Sequence, residues 1–365
     1  MRQNGLTNND TQTRQAIRPI FIADKNYMNQ NGETLRHIIS GLSTESVNTC
    51  LVCPDYEIAE PLITPNCETI VHPTYRLPFF GKINYNILLE KAAAFEPTIL
   101  HCLSASKAKF TARIAAKLNL PYVLSLDNLH RLPSVNSKHC ANVIPCCDSI
   151  ASMLKDVFRY PEKIKQVNCA SFAEADCACF NHMKNITSLL IVTPLVNPAS
   201  LLPVLSAVRH LTIEGYEFVL IIIGKGRAEH KIRRHIQALG LSHVVNIIPP
   251  LKPLRSIFSQ ADIFIQPYST DYFNAELLEA MSVGMAVAAS TGGVDDLIIK
   301  NKTAAVFDPE DELSIYATLQ QMLDKKEWTK QLAKDSQKNI KENHSVAVMT
   351  QKLLDIYRKA QQWYQ

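Results

Sequence analysis

Two carboxylates eight positions apart, Asp271 and Glu279, flank the start of a candidate helix. An apolar run that ends at Pro267 predicts a buried strand just before them, and residues 275–283 have the spacing of a helix. A carboxylate on the first turns of a helix can accept hydrogen bonds from two vicinal hydroxyls, as in the binding of a ribose. The helix start, at 273–276, would present its first N–H groups to an anion. This pattern predicts a nucleotide site.

The same segment resembles the donor half of retaining glycosyltransferases of the GT-B fold, of the family 4 type. That family's signature is a Glu, seven residues, a second Glu inside an EAM-x-x-G helix, a buried strand, and a Gly-Gly turn followed by an acid. Asp271 stands for the first Glu and is one methylene shorter, while Phe273 matches the family's aromatic and Asn274 replaces the Gly after it. The resemblance extends from about Ser188 to Asp308. The remaining matches are Glu279-Ala280-Met281, Gly284, Gly292-Gly293 and Asp296.

The resemblance implies an α/β architecture of two Rossmann-like, doubly wound parallel-sheet domains that face each other across a cleft. It also implies that Glu279 binds the ribose of a nucleotide sugar and that Asp271 positions the donor sugar. The helix start would bind the diphosphate through Phe273, Asn274 and Ala275. No metal and no other cofactor is expected. The alternatives are a solvated helix glutamate for Glu279 and a helix N-cap or Asx turn for Asp271.

Two cations of the resembled family are absent. After the first strand of the donor domain the family carries an Arg and, five residues later, a Lys, and both neutralise the departing diphosphate. Pro194 and Ala199 stand at these positions. Losing one such donor commonly costs about 3–4 kcal/mol of transition-state stabilisation. The nearest substitutes are Lys225 and Arg227, in the turn that begins at Gly224, and the alternative is two exposed basic residues at a helix start.

The first half of the chain offers fewer matches. His101, at the end of a predicted strand, matches the family's D-x-x-H element and is a candidate catalytic residue, with a structural histidine as the alternative. The family's other His, which supports the transferred sugar, aligns with Asp127, so that Asp127 or His130 would contact sugar hydroxyls. The family's first glycine loop is reduced to residues 31–33. Glycine is scarce throughout, at 11 of 365 residues, although phosphate-binding loops rely on it for close backbone approach.

Composition excludes several classes of protein. The chain is 47% apolar and 20% charged, as in globular proteins, and its net charge of +4 is not concentrated in a basic stripe, which argues against nucleic acid. It has no apolar run of about 18 residues and no signal-like N-terminus, so a cytoplasmic protein is expected. All ten cysteines precede residue 180, and we expect reduced thiols. Cys50 and Cys53 have metal-ligand spacing, but they lie three apart in a predicted strand and face opposite ways.

Short apolar runs, among them 49–53, 122–126 and 218–223, alternate with helical stretches, of which the first is predicted at 32–42. This alternation predicts parallel sheets with crossover helices. In the resembled family the last helix returns to the first domain. The predicted division is a flexible tail at 1–16, an acceptor-side Rossmann-like domain at 17–175, a linker at 176–187, a nucleotide-sugar-binding Rossmann-like domain at 188–344, and a helix at 345–365 that packs on the first domain.

The leading hypothesis is a glycosyltransferase of the hexosyltransferase type that uses a nucleotide sugar and a glycan or lipid-linked acceptor in polysaccharide biosynthesis. The predicted loop at 76–82 contains both basic and aromatic residues. It either contacts lipid headgroups at a membrane surface or is an ordinary loop. The rival hypothesis is a GT-B-fold binding or scaffolding protein that no longer transfers sugar. A third is an epimerase on the same fold.

Overall fold

The computed structural model describes residues 16–60, 64–72, 78–128, 135, 138–181, 186–251, 253–290, 292–294 and 296–364. His130, residues 76–77 of the predicted loop at 76–82 and nearly all of the predicted tail lie outside the described residues. Residues 78–82 begin a helix, Pro78–Ala94, so the prediction of a loop is wrong there. The described part forms two parallel six-stranded sheets, one in each half of the chain. We call the halves the first and second domains.

The first domain is built on strands β1 (Pro19–Ile22), β2 (Thr49–Cys53), β3 (Cys67–Val71), β4 (Ile99–Cys102), β5 (Tyr122–Leu126) and β6 (Cys140–Pro145). They lie in the order β3-β2-β1-β4-β5-β6. Phe21 of the central strand pairs with Leu51 on one side and with His101 on the other. The strand order reverses between β1 and β4, and ligands of open α/β sheets bind at such a point, outside the carboxyl ends of the strands.

The second domain repeats this arrangement with strands β7 (Thr187–Val192), β8 (Phe218–Ile223), β9 (Val245–Ile248), β10 (Ile263–Gln266), β11 (Ala286–Ser290) and β12 (Ala305–Phe307). Their order is β12-β11-β10-β7-β8-β9, which reverses between β7 and β10. The central strands are buried along almost their whole length and are mostly apolar, because both faces of the sheet are covered.

Helices connect the strands and cover the sheets. They are α1 (Lys25–Thr44), α2 (Tyr56–Ala59), α3 (Pro78–Ala94), α4 (Ala108–Leu118), α5 (Asp148–Val157), α6 (Leu202–Ile213), α7 (Glu229–Ala238), α8 (Arg255–Phe258), α9 (Ala275–Ser282), α10 (Glu312–Asp324), α11 (Lys326–Asn343) and α12 (Val346–Tyr364). Within the described ranges, none of them is both long and apolar enough to cross a lipid bilayer.

Helix α1 begins earlier than the sequence predicted. Residues 31–33 were interpreted as the remnant of a glycine loop, but they lie inside the helix. The Asp24 side chain caps the helix by accepting the Tyr27 N–H at 2.8 Å, which starts the first turn at Lys25. Asn31 departs from helical geometry, with φ −117° and ψ 23°, and kinks the helix. Helix α1 also contacts α9 of the second domain.

The last helix, α12, packs on the first domain. It contacts α1, β4 and β6, and Leu353 and Tyr357 belong to the same buried cluster as Phe21 and Leu35. The chain passes between the domains twice, and the two crossings lie side by side, since Ser171 and Ser345 form an isolated parallel bridge.

Candidate functional site

A cavity of about 430 Å³ lies between the two domains, at the carboxyl ends of both sheets. We call it the interdomain cavity. The first domain contributes Asn29 to Asn31 from α1 and Asp127 from the end of β5. The second domain contributes the ends of β7, β8 and β10 and the residues that lead into α9. Both topological switch points thus face the same space, which is where the fold places a ligand.

Main-chain contacts hold the domains together beside this cavity. Asn128 and Tyr272 form an antiparallel bridge, and the N–H of Phe273 donates to the carbonyl oxygen of Asp127 at 2.9 Å. These contacts join the end of β5 to the loop before α9. Because Asp127 and Phe273 both line the cavity, its width depends on the contact between the domains.

Asp296 makes a second interdomain contact. Its carboxylate accepts hydrogen bonds from the Ser149 N–H at 3.1 Å, from the Asp148 N–H and from the Ser149 hydroxyl. These N–H groups begin α5, so a side chain of the second domain caps a helix of the first. Cys147 reinforces the contact by donating its thiol to the Val294 carbonyl oxygen at 3.3 Å.

Glu279 faces the first domain and is 4% exposed, so the alternative of a solvated helix glutamate is wrong. One carboxylate oxygen lies 3.0 Å from Nη1 of Arg255, and the other lies 3.4 Å from Nδ1 of His37. The His37 Nδ1 is closer, at 2.9 Å, to the Ala170 carbonyl oxygen. Burial lowers the pKa of His37, and the nearby Glu279 opposes that shift only in part. The imidazole is therefore neutral, and the guanidinium of Arg255 balances the negative charge of Glu279.

Arg255 also connects Glu279 to the crossing between the domains. The same guanidinium donates to Glu174 at 2.8 Å, to the Ser282 hydroxyl at 3.1 Å and to the Phe172 carbonyl oxygen. Beside Glu279 lies a smaller cavity of about 40 Å³, which we call the adjoining cavity and which Gly32, Glu33, Arg255, Ala275 and Glu279 line among others. A ribose role for Glu279 stays a prediction, and a ribose there would share the carboxylate with Arg255.

Helix α9 begins at the cavity wall. Its N-cap is Asn274, whose side-chain oxygen accepts the Leu277 N–H at 2.9 Å. The N-cap of α9 is therefore not Asp271, so the alternative of a helix N-cap for Asp271 is wrong. Asp271 is exposed on the loop after β10 and does not line the interdomain cavity, whereas the buried Phe273 and Asn274 do. Ala275 lines the adjoining cavity.

Lys225 reaches the interdomain cavity, and Arg227 does not line it. The Leu195 N–H donates to the Lys225 carbonyl oxygen at 3.2 Å, so this turn lies directly against the loop that carries Pro194. Gly224 and the glycine at 226 allow that approach, because a Cβ at either position would overlap the backbone of the loop. Lys225 thus stands beside the position where the resembled family has its Arg.

His101 is a core residue and not a catalytic one, which corrects the prediction. It is fully buried, its Nδ1 lies 2.6 Å from the Tyr357 hydroxyl, and its Nε2 lies 2.7 Å from the Ser125 hydroxyl. Both ring nitrogens are thus satisfied within the protein. Burial lowers the pKa of His101 to about 3, so the ring is neutral at physiological pH.

Asp127 lines the interdomain cavity as predicted for a sugar-contacting residue, although that role stays a prediction. Its carboxylate accepts the side-chain amides of Asn31 and Asn128, each at 2.8 Å. Burial raises the pKa of the Asp127 carboxyl, and these hydrogen bonds oppose the shift. Within the described part of the chain, no cluster of three His, Cys, Asp or Glu side chains is arranged to hold a metal ion.

Residues 186–343, nearly the whole second domain, match the family model described as "Glycosyl transferases group 1". Among curated proteins, the chain is similar to "Putative colanic acid biosynthesis glycosyltransferase WcaL" of Salmonella typhimurium, with 26% identity over 193 residues. That match covers 48% of this chain and 46% of WcaL, so the chain spans less than half the length of this curated relative.

Solved structures match nearly the whole chain. A glycosyltransferase from Rickettsia africae ESF-5 has a TM-score of 0.79 at 14% identity, and the match covers 94% of this chain and 98% of that one. HepE of Anabaena, solved in complex with UDP and glucose, has a TM-score of 0.73 at 12% identity, with 93% and 98% covered. The chain has the GT-B fold. The predicted pair of Rossmann-like domains is thereby confirmed.

Sequence reasoning missed Arg255 and Gln266 of this GT-B cleft, and it matched Asp296 to the resembled family without giving it a role. Arg255 and Asp296 act on partners in other elements, and no local pattern identifies those partners. Gln266 could have been found, because it ends an otherwise apolar strand, Ile263–Gln266, at the edge where ligands bind. It is 3% exposed and lines the interdomain cavity.

Proposed function

We propose that this protein is a retaining glycosyltransferase of the family 4 type, which transfers a hexose from a nucleotide sugar to a glycan or lipid-linked acceptor in polysaccharide biosynthesis. One observation carries the proposal: Glu279 and the start of α9 line cavities at the interdomain cleft of a GT-B chain whose second domain matches group 1 glycosyl transferases. The name of WcaL supports a polysaccharide product, and the UDP and glucose bound to HepE support a nucleotide-sugar donor.

The proposed roles follow the division of the chain. The domain at 188–344 holds the nucleotide sugar, the domain at 17–175 receives the acceptor, the segment at 176–187 links them, and the helix at 345–365 returns to the first domain. Glu279 binds the ribose, the start of α9 and Lys225 bind the diphosphate, and Asp271 and Asp127 contact sugar hydroxyls. The acceptor hydroxyl attacks the anomeric carbon from the side on which the diphosphate leaves. The bond from this carbon to the phosphate oxygen breaks, the hydroxyl proton passes to the departing phosphate, and the configuration is retained.

We propose that diphosphate departure needs no metal. The helix dipole at the start of α9 and the Lys225 ammonium supply positive charge where the diphosphate develops negative charge. We also propose a cytoplasmic location, with a peripheral membrane contact through the segment at 76–82 if the acceptor is lipid-linked. Flotation with anionic vesicles tests that contact, and a protein that stays with the vesicle-free fraction contradicts it.

Ligand-dependent thermal unfolding tests the donor site. A ligand at 100 times its dissociation constant stabilises the folded state by about 2.7 kcal/mol, which raises the melting temperature by several degrees for domains of this size. We expect one of UDP, GDP or ADP, or a sugar conjugate of one, to produce such a shift. Lys225→Ala should reduce the shift with the diphosphate more than the shift with the nucleoside.

Arg227→Ala is the matched control, because Arg227 is an exposed cation two residues away that does not line the cavity. Equal losses in the two variants would show that Lys225 acts only through net charge. Incubation with the stabilising sugar nucleotide should also release free sugar slowly, and the anomer formed on transfer, read by NMR, tests retention. An inverted anomer would refute the family 4 assignment.

The structure also favours a second candidate, a GT-B binding or scaffolding protein without transfer activity. Pro194 and Ala199 replace the family's cations, and the Glu279 carboxylate is already ion-paired with Arg255. This candidate predicts nucleotide-dependent stabilisation without any release or transfer of sugar. The absence of stabilisation by every nucleotide and sugar nucleotide would refute the donor site.

A further inference from the structure

The interdomain cavity is poor in positive charge. Among its described lining residues, the charged side chains are one cation, Lys225, and two carboxylates, Asp127 and Glu276. A nucleotide diphosphate bound there, as proposed above, must therefore be held largely by neutral hydrogen-bond donors. A search for such donors leads to the end of β10.

Gln266 ends β10 and lies next to the N-cap of α9. The amide oxygen of Asn274 accepts the Leu277 N–H at 2.9 Å, which fixes the orientation of the Asn274 amide. Its nitrogen must then point the other way, and it donates to Oε1 of Gln266 at 3.3 Å. This contact in turn fixes the Gln266 amide, because only its oxygen can accept from Asn274.

The remaining group of Gln266 is a buried donor. Nε2 has no hydrogen-bond partner among the described residues, and the side chain is 3% exposed. A buried donor without an acceptor lowers stability, so an acceptor is expected to reach it from the ligand. The N–H of Ala275, at the first position of α9, likewise has no acceptor within the helix.

We propose that Gln266 is a diphosphate-binding residue, whose Nε2 donates to a phosphoryl oxygen of the bound nucleotide beside the N-terminus of α9. This proposal rests on the proposed function and deepens it. The neutral amide compensates in part for the cations absent at Pro194 and Ala199. It also makes binding selective for a group with acceptor oxygens at this point, and a nucleoside alone does not use it.

Gln266→Glu is the sharpest test. The carboxylate keeps an oxygen toward Asn274 but puts a second acceptor in place of the donor. We expect affinity for UDP, GDP or ADP, whichever the protein binds, to fall about 10- to 100-fold, the range for a hydrogen bond to a charged group. Affinity for the matching nucleoside should not change. Gln266→Met, which removes the donor without adding charge, should show the same selective loss and serves if the first variant does not fold.

Gln361→Glu is the matched control. Gln361 is also buried, at 8% exposure, and its Nε2 also has no partner among the described residues, but it lies on α12 and does not line the interdomain cavity. Calorimetric titration of each variant with nucleoside and diphosphate separates the outcomes. A selective loss in the Gln266 variants alone supports the proposal. Unchanged diphosphate affinity, equal losses for both ligands, or the same loss in Gln361→Glu overturns it, and a native protein that binds no nucleotide overturns the proposed function as well.

Discussion

Replacing Arg255 with Met tests whether Glu279 is held as a buried ion. The Glu279 side chain is 5% exposed and the Arg255 side chain 20%, and the pair is 3.0 Å apart. His37 cannot take over as the balancing cation, because burial lowers its pKa. Breaking a buried pair by removing one partner costs about 3–5 kcal/mol, since the other charge stays buried and uncompensated. The ion pair with the half-exposed Glu174 adds at most about 1 kcal/mol.

We therefore expect Arg255→Met to lower the free energy of unfolding by about 3–5 kcal/mol, measured by urea denaturation at pH 7. The double variant Arg255→Met/Glu279→Gln should recover a large part of this loss, because it removes the uncompensated charge. Arg358→Met is the control, as Arg358 pairs with Asp355 at 2.9 Å on the exposed face of α12. That change should cost no more than about 1 kcal/mol.

The refuting results are specific. If Arg255→Met costs no more than the Arg358 control, Glu279 does not depend on Arg255 for its charge. If the double variant is no more stable than Arg255→Met alone, the loss comes from the contacts with Phe172 and Ser282 and not from the buried carboxylate. Either result would remove the argument that a ribose must share Glu279 with Arg255.

Three further predictions follow from the site. Asp271→Glu restores the methylene by which the residue is shorter than the family's Glu, so the rate of sugar release should rise, whereas an unchanged rate would show that Asp271 does not position the donor. The pKa of His101 is about 6.5 in the unfolded chain and about 3 in the folded one, so its contribution to the free energy of unfolding is complete above pH 6.5. That contribution is lost, at about 1.4 kcal/mol per pH unit, as the pH falls toward 3. In urea denaturation, the free energy of unfolding of His101→Gln should therefore depend less steeply on pH between 7 and 4 than that of the native protein, and an equal slope would contradict this. Asp296→Ala removes the cap of α5 and should cost about 0.5–2 kcal/mol in the same assay, with Asp308→Ala as an exposed control.

The sequence predicts most of the architecture because local signals and the fold agree. The predicted bounds of β2, β5 and β8 match the structure, since each is a short apolar run with clear ends. Helix α1 was mispredicted because its start depends on Asp24, and a polar stretch after an acid has no apolar period to mark it. Residue 31 then carries a kink that the pattern cannot reveal.

Site residues were predictable where they belong to a single local element, and they were not predictable where their role depends on contacts between distant parts of the chain. Asn274 and Phe273 were identified because they lead into α9. His101 was misassigned, because its position at a strand end is common to site and core residues, and only Tyr357, 256 positions away, satisfies its second nitrogen. The pairing of Arg255 with Glu279 depends on tertiary packing between α8 and α9, which single-residue chemistry does not encode.

The cap of α5 has a consequence for how the molecule can be divided. Because the acceptor for its leading amides belongs to Asp296, a chain cut at the crossing would leave that helix with its opening turn unsatisfied. The first half is therefore not a self-sufficient folding unit in this respect, and when expressed separately it should fray at residues 147–150. Any motion that separates the two domains in the intact protein must also break the hydrogen bonds that cap this turn.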